Sequence, residues 1–414
     1  MGELRGLLGE LIPVPATLSD DELGLLAALE AVLADTVAPE AVANDARGRY
    51  PRPMLDALAR TGLMRASVPQ ALGGPGFSQR FSLEAQLRIA RVDSAVAQLF
   101  KVHDELVREI PCYTDASQQT RFARLVLEDG AIVGLAVAEA GRTAEEPLTT
   151  TSAQQADGSY LVDGRKIYTT GAARADVIAT WTYDAAQATP DAPLKGMQLF
   201  LIPRDTPGVV IHEDWDALGQ RATDSGTVTF DKVCCAPEWR SSVPGEAPLV
   251  QASLRYQAGF AAVLTGIGVG ALEAAAPFVR EHSRPWAAAG VAAAAADPLL
   301  QLRAGEYAAG LVAAYHATMA TAALFDAFDE GHISRGALAL PVSAAKVTAH
   351  HAALAATSGL HGLMGTRSVA SAHGFDRFWR NARTLSLHDP VDHKARELGR
   401  HLFTGAHPEP GVYQ

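Results

Sequence analysis

The side chains best able to move protons in this sequence are its thirteen histidines, so position has to separate the chemical ones from the structural ones. His388 stands in Leu387-His388-Asp389-Pro390, an imidazole next to a carboxylate, which can take or give a proton near neutral pH. His103 lies in FKVHDELV, on a helical pattern whose apolar face belongs to a core, so it is either a proton carrier or a satisfied core histidine. Thr170 puts a hydroxyl directly before Gly171 in KIYTTG, at the end of an alternating run. His350, His351, His361 and His393 do not combine with acids or cysteines at metal-ligand spacings, and no metal is expected. Cys112 and the adjacent pair Cys234 and Cys235 give no disulfide framework. Asp389 before Pro390 reads as a cap for the helix that follows, with a residual catalytic base as the alternative.

The elements that must position these groups fall into three blocks. After a flexible start over 1–18, leucine and alanine recur at three- and four-residue intervals through 19–129, with Ser19 as an N-cap and loops at YPRP and VPQALGGPGFS. Over 130–240 the period changes to two, in runs such as SYLVDGRKIYTTG, ADVIATWTY, GMQLFLIP and SGTVTFDKV, and Asp163-Gly164 reads as a hairpin turn. Long alanine-rich helical patterns return over 241–414. The expected fold is therefore α+β and multidomain: an N-terminal helical domain, a central antiparallel β-barrel or sandwich, and a C-terminal four-helix bundle. Helices apolar around much of their circumference also predict a homo-oligomer.

Composition narrows the function classes. A 48% hydrophobic, 20% charged chain of 414 residues is globular. Its net charge of −11 argues against nucleic acid or an anionic membrane as the main partner. The apolar stretches read as ending short of a bilayer span, and Met1 to Pro15 lacks a basic region followed by an apolar core, so a cytoplasmic location is expected. No Gly-x-Gly-x-x-Gly opens a helix after a strand, so a redox cofactor would be held without the usual dinucleotide fingerprint.

Over nearly its whole length the sequence resembles the acyl-CoA dehydrogenase superfamily. The strings that carry this are VPQALGGPGFS, DGRKIYTTGAARAD, LGQRATDSGTVTFDKV and FWRNARTLSLHDPVDHKARELGRHLF, in that order. RNARTLSLHDPV, Arg380 to Val391, is most similar to the two-component flavin monooxygenase branch. That branch contains dibenzothiophene monooxygenases, amine N-hydroxylases, nitrososynthases and indole oxygenases. Where a dehydrogenase of the superfamily carries its glutamate base, this chain has Asp389, one methylene short; the alternative position, around Arg255 in SLRYQAGF, has no acid.

The resemblance implies a monooxygenase that takes reduced flavin, FMN or FAD, from a separate reductase and uses O2 to form a C4a-hydroperoxide. That species would oxygenate a small, hydrophobic or aromatic substrate, indole-like, at C, N or S. His388 and Thr170 would flank the reactive edge of the flavin, with backbone amides around Gly171 available to the ring, and His103 would face the substrate and assist proton transfer. Arg284 in EHSRPW and Arg367 with Ser368 in GTRSV would bind the flavin phosphate, Arg284 from a neighbouring subunit of a homo-oligomer, as a tetramer. The chain departs from the branch at Val107, where an aromatic residue is common, and at Leu135, where an asparagine is found. The rival readings are an acyl-CoA dehydrogenase with Asp389 as base and a non-catalytic flavin-binding homologue.

Overall fold

The computed structural model describes residues 17–141, 146–189, 191–246 and 252–411. The first block is helical: α1 (Asp20–Val32), α2 (Ala41–Arg47), α3 (Arg52–Arg60), α4 (Gln79–Val92), α5 (Ser94–Glu109) and α6 (Ala116–Leu127). Ser19 caps α1 as expected, its hydroxyl accepting from the Glu22 amide while the Glu22 carboxylate accepts from the Ser19 amide. The other Glu22 oxygen accepts from the Ser78 amide at 2.7 Å, so the same side chain ties the start of α1 to the start of α4. Between α4 and α5 the chain breaks at Asp93, whose extended backbone and carboxylate cap the amides of Ala95 and Val96.

Among the described residues seven strands follow: β1 (Val133–Ala136), β2 (Thr151–Gln154), β3 (Tyr160–Lys166), β4 (Val177–Tyr183), β5 (Met197–Pro203), β6 (Val209–Ile211) and β7 (Val228–Cys235). They form one sheet in the order β1-β4-β2-β3-β7-β6, with β5 on β4. The β2–β3, β3–β7, β4–β5 and β6–β7 pairs are antiparallel, while β1 runs parallel to β4. The expected turn at Asp163-Gly164 does not form. Both residues lie inside β3 at a bulge against β7, where Gly164 has φ +149° and a Cβ would sit 2.5 Å from Thr150 Cα. Asp163 accepts from the Lys232 amide across the bulge. Asx-Gly has here been used to bend a strand, with the glycine chosen for close backbone approach.

The last block holds α7 (Ala252–Glu281), α8 (Pro298–Asp329), α9 (Arg335–Met364), α10 (Asp376–Ser386) and α11 (Val391–Thr404). Contrary to the expectation from apolar run length, α7 and α8 are long and apolar enough to cross a membrane by length and composition. In the fold, 72% of the α7 window is buried. Its residues Phe260, Val263, Leu264 and Ile267 join Phe81, Leu87 and Phe100 of the first block in one core. Each such side chain contributes roughly 1.5–3 kcal/mol on burial. The close approach of α4 to α7 depends on Gly266 and Gly270: a Cβ would lie 2.3 Å from the Leu87 carbonyl oxygen at the first and 1.9 Å from that of Arg91 at the second.

Candidate functional site

The loop leaving β3 turns at Tyr168, a non-glycine residue with φ +53°, and at Gly171, with φ +82°. This reversal lays Thr170 across β1, so that the Leu135 amide donates to the Thr170 carbonyl at 3.0 Å. A Cβ on Gly134 would collide with the Ala172 nitrogen at 2.7 Å, which is why the strand and the loop can lie flush. The Thr170 hydroxyl lies 3.0 Å from Ser225 Oγ, Ser225 Oγ lies 2.8 Å from Thr223 Oγ1, and Thr223 donates to the Gln220 carbonyl at 2.8 Å. Ser225, Thr223 and Gln220 are buried, and Gln220 and Asp224 both hold positive φ. This second loop is pinned to α10: Asn381 accepts from the Gln220 amide at 2.6 Å and Arg380 donates to the Leu218 carbonyl.

α10 in turn delivers His388. Its side chain is 43% exposed, while its inner face packs on Phe260 with centroids 4.2 Å apart. Burial of that inner face lowers its pKa; the neighbouring Asp389 opposes the shift and Lys346 adds to it. His388 is therefore neutral at pH 7, with Nδ1 turned toward Asp389 Oδ1 at 3.5 Å.

Asp389 does not cap α11 with its side chain. Pro390 occupies the N-cap, and the Asp389 carboxylate, only 4% exposed, instead accepts from Lys346 Nζ at 3.1 Å. Lys346, on α9, is buried and lies over the Phe260 ring at 4.4 Å; burial takes its pKa down to about 8. Lys101 of α5 lies over the same ring at 3.8 Å and donates to Glu105 at 2.8 Å. Burial raises the Glu105 carboxyl to about 8. Lys101, Phe260 and Lys346 were not singled out from sequence. The available signal was a lone lysine within an alanine-rich apolar helix, since a buried cation must be paired.

His103 is held by backbone groups of the protein itself. It is fully buried, its Nδ1 accepts from the Val133 amide at 3.0 Å, and its Nε2 lies 2.7 Å from the Met64 carbonyl. An accepting Nδ1 requires the proton on Nε2, so the ring is a neutral bridge between β1 and the turn after α3, with both nitrogens occupied. Burial lowers its pKa and keeps it neutral. In this structure the ring supports the β1 backbone on which Thr170 rests. Val107 is buried in the core beside it in sequence, and Leu135 lies partly buried on β1.

Arg284 and Arg367 are both exposed and share one corner, at the ends of α7 and α9. Arg367 donates to the His282 carbonyl at 3.2 Å and Ser283 donates to the Met364 carbonyl at 2.7 Å, which lashes the two segments together. Ser368 is turned inward: its hydroxyl donates to the Gly365 carbonyl and accepts from His361 Nδ1, each at 2.7 Å. In this arrangement the hydroxyl proton is committed to the Gly365 carbonyl.

A reduced flavin mononucleotide needs an acceptor for its ring N–H groups and cations for its phosphate. Thr170 Oγ1 on a glycine-shaped loop and two exposed guanidiniums supply that set. The residues fit the group.

Comparison with known proteins identifies the family. Family models for the acyl-CoA dehydrogenase N-terminal, middle and C-terminal domains match residues 19–128, 134–233 and 258–393. The chain is 34% identical to a dibenzothiophene monooxygenase of Mycolicibacterium goodii, over 86% of this chain and 88% of the relative. It is 32% identical to a probable FMNH2-dependent monooxygenase, SfnC, of Pseudomonas putida, over 92% and 95%. Among solved structures, TdsC from Paenibacillus sp. A11-2 in complex with FMN and indole superposes with a TM-score of 0.86 at 33% identity, over 96% of this chain and all of that one.

Proposed function

For this chain, which belongs to the acyl-CoA dehydrogenase family and is a flavin-dependent monooxygenase acting on small substrates, we propose a division of labour in which Thr170 faces the reactive edge of FMN and His388 handles the substrate proton. The observation that carries the reading is the Lys346–Asp389 ion pair. A dehydrogenase base must reach a substrate carbon as a mobile carboxylate, whereas this one is buried and held by an ammonium. Reduced FMN, when bound, supplies the electrons that activate O2; one oxygen atom goes to the substrate and the other leaves as water.

What the chain contributes is position. Asp389 orients the neutral His388 through Nδ1, and the part-exposed imidazole accepts the substrate proton and returns it. The substrate class this favours is a small hydrophobic aromatic such as indole, the ligand of the TdsC complex, oxygenated at C, N or S. The FMN arrives reduced from a separate reductase, and the chain works in the cytoplasm.

The phosphate arginines belong to a different copy of the chain. His388 packs on Phe260, and along α7 Phe260 is separated from the C-terminal residue Glu281 by roughly 30 Å at about 1.5 Å per residue. That exceeds the length of FMN, so Arg284 and Arg367 serve a neighbour's flavin in a homo-oligomer, as a tetramer. Trp286 and Val369, exposed beside them, supply apolar surface for the contact.

The test is His388→Ala beside His388→Gln. Both retain FMN binding, and both lose indole oxygenation by at least about a hundredfold, the usual worth of a positioned general base. Intact product formation in His388→Ala removes the assignment.

A further inference from the structure

The hydroxyl chain behind Thr170 has only one possible direction. Thr223 Oγ1 lies 2.8 Å from the Gln220 carbonyl oxygen, which has no proton, so the proton between those oxygens is the Thr223 hydroxyl's. Thr223 can then only accept from Ser225, 2.8 Å away, and Ser225, its single proton committed, can only accept from Thr170 at 3.0 Å. The Thr170 proton therefore points into the protein, and Thr170 turns lone pairs outward. The end of the chain cannot rotate away, because the Gln220 carbonyl also accepts from Trp215 Nε1 at 3.0 Å and its amide is held by Asn381.

Flavin N5 changes role with redox state. Oxidised, it is a bare acceptor; reduced, it carries a hydrogen and donates. From this we infer that Ser225 and Thr223 are positioning residues that make Thr170 an acceptor and so bias the site toward reduced FMN and against the oxidised form. The inference rests on Thr170 facing N5, as proposed above. It gives the chain a physical means of taking the reductase's product in preference to the spent cofactor, without any contact that differs in shape between the two.

Oxidised FMN binding is measured by titration calorimetry, and reduced FMN binding by the same method under anaerobic conditions, for the wild type, Ser225→Ala, Thr223→Val, Thr170→Val and Ser225→Thr. Ser225→Ala frees the Thr170 proton to turn outward, so oxidised FMN binds more tightly and reduced FMN more weakly. The affinity ratio falls by about fivefold for one hydrogen bond of ordinary net strength. Thr223→Val moves the ratio in the same direction, and Ser225→Thr, which keeps the hydroxyl, restores it. Structural damage alone would weaken both forms together, and that result overturns the inference. If Thr170→Val narrows the ratio while Ser225→Ala does not, the relay is wrong although Thr170 faces the flavin. If neither variant moves the ratio, Thr170 does not face N5 and both readings fall.

Discussion

Replacing Asp389 by asparagine removes one charge from a buried pair and leaves the shape almost unchanged. A buried charge stripped of its partner commonly costs about 3–5 kcal/mol. Lys346 has an escape, because burial has already brought its pKa to about 8. At pH 7 the wild-type ammonium is favoured over the neutral amine by only one pKa unit, about 1.4 kcal/mol. In Asp389→Asn the lysine sheds its proton, so its share of the loss stops near about 1.4 kcal/mol. Losing the carboxylate's charge-assisted hydrogen bond adds about 1 kcal/mol more. The sign with pH follows from the lowered lysine pKa: the unfolded chain binds more protons between pH 8 and 10.5, so wild-type stability rises over that window. The variant, with a still lower lysine pKa, has collected this gain earlier. Urea denaturation at pH 7 and 9.5 should thus show a gap of about 2–3 kcal/mol that narrows by about 1.4 kcal/mol at the higher pH. A gap that is constant with pH would show that Lys346 stays charged in the variant and would refute the reasoning. A loss below about 0.5 kcal/mol at pH 7 would show that the pair contributes nothing.

Three further outcomes follow from the same structure. His103→Leu should lower stability by about 2–4 kcal/mol, since the Val133 amide and the Met64 carbonyl both lose a buried partner, while activity per folded molecule falls much less; thermal unfolding beside active-site titration separates the two. Because the folded His103 pKa is lowered, the unfolded chain binds its proton first, and this residue's contribution to stability should drain away as pH falls below about 6.5, visible as a shallower acid limb in His103→Leu. Arg284→Ala and Thr170→Val subunits, each poorly active alone, should recover part of the wild-type rate when refolded together, because a mixed assembly contains some sites with both residues intact. No recovery would place Arg284 in the same subunit's site or outside it.

The broad architecture could be read from sequence because hydrophobic period is a local property: three- and four-residue spacing marks α4, α5 and α7, and alternation marks β4 and β5. The errors came where a local signal has several tertiary uses. Asp163-Gly164 is good turn chemistry, yet pairing along β7 continued through it and turned the glycine into a bulge. Asp389 before Pro390 looks like a cap, but Lys346, forty-three residues earlier in the chain, claimed the carboxylate. His103 sits in a family motif, and only the positions of Met64 and Val133 show that its nitrogens are occupied. Thr223 and Ser225 stood in the motif LGQRATDSG without a role, because the direction of a hydroxyl chain depends on which carbonyl ends it.

The most direct test of the account is to supply the protein with chemically reduced FMN and indole under 18O2 and weigh the product by mass spectrometry. The account predicts a product carrying a single 18O atom, formed without any reductase present and lost in His388→Ala. Unlabelled or absent product with all the oxygen recovered as hydrogen peroxide, together with anaerobic bleaching of bound flavin by an acyl-CoA, would contradict it.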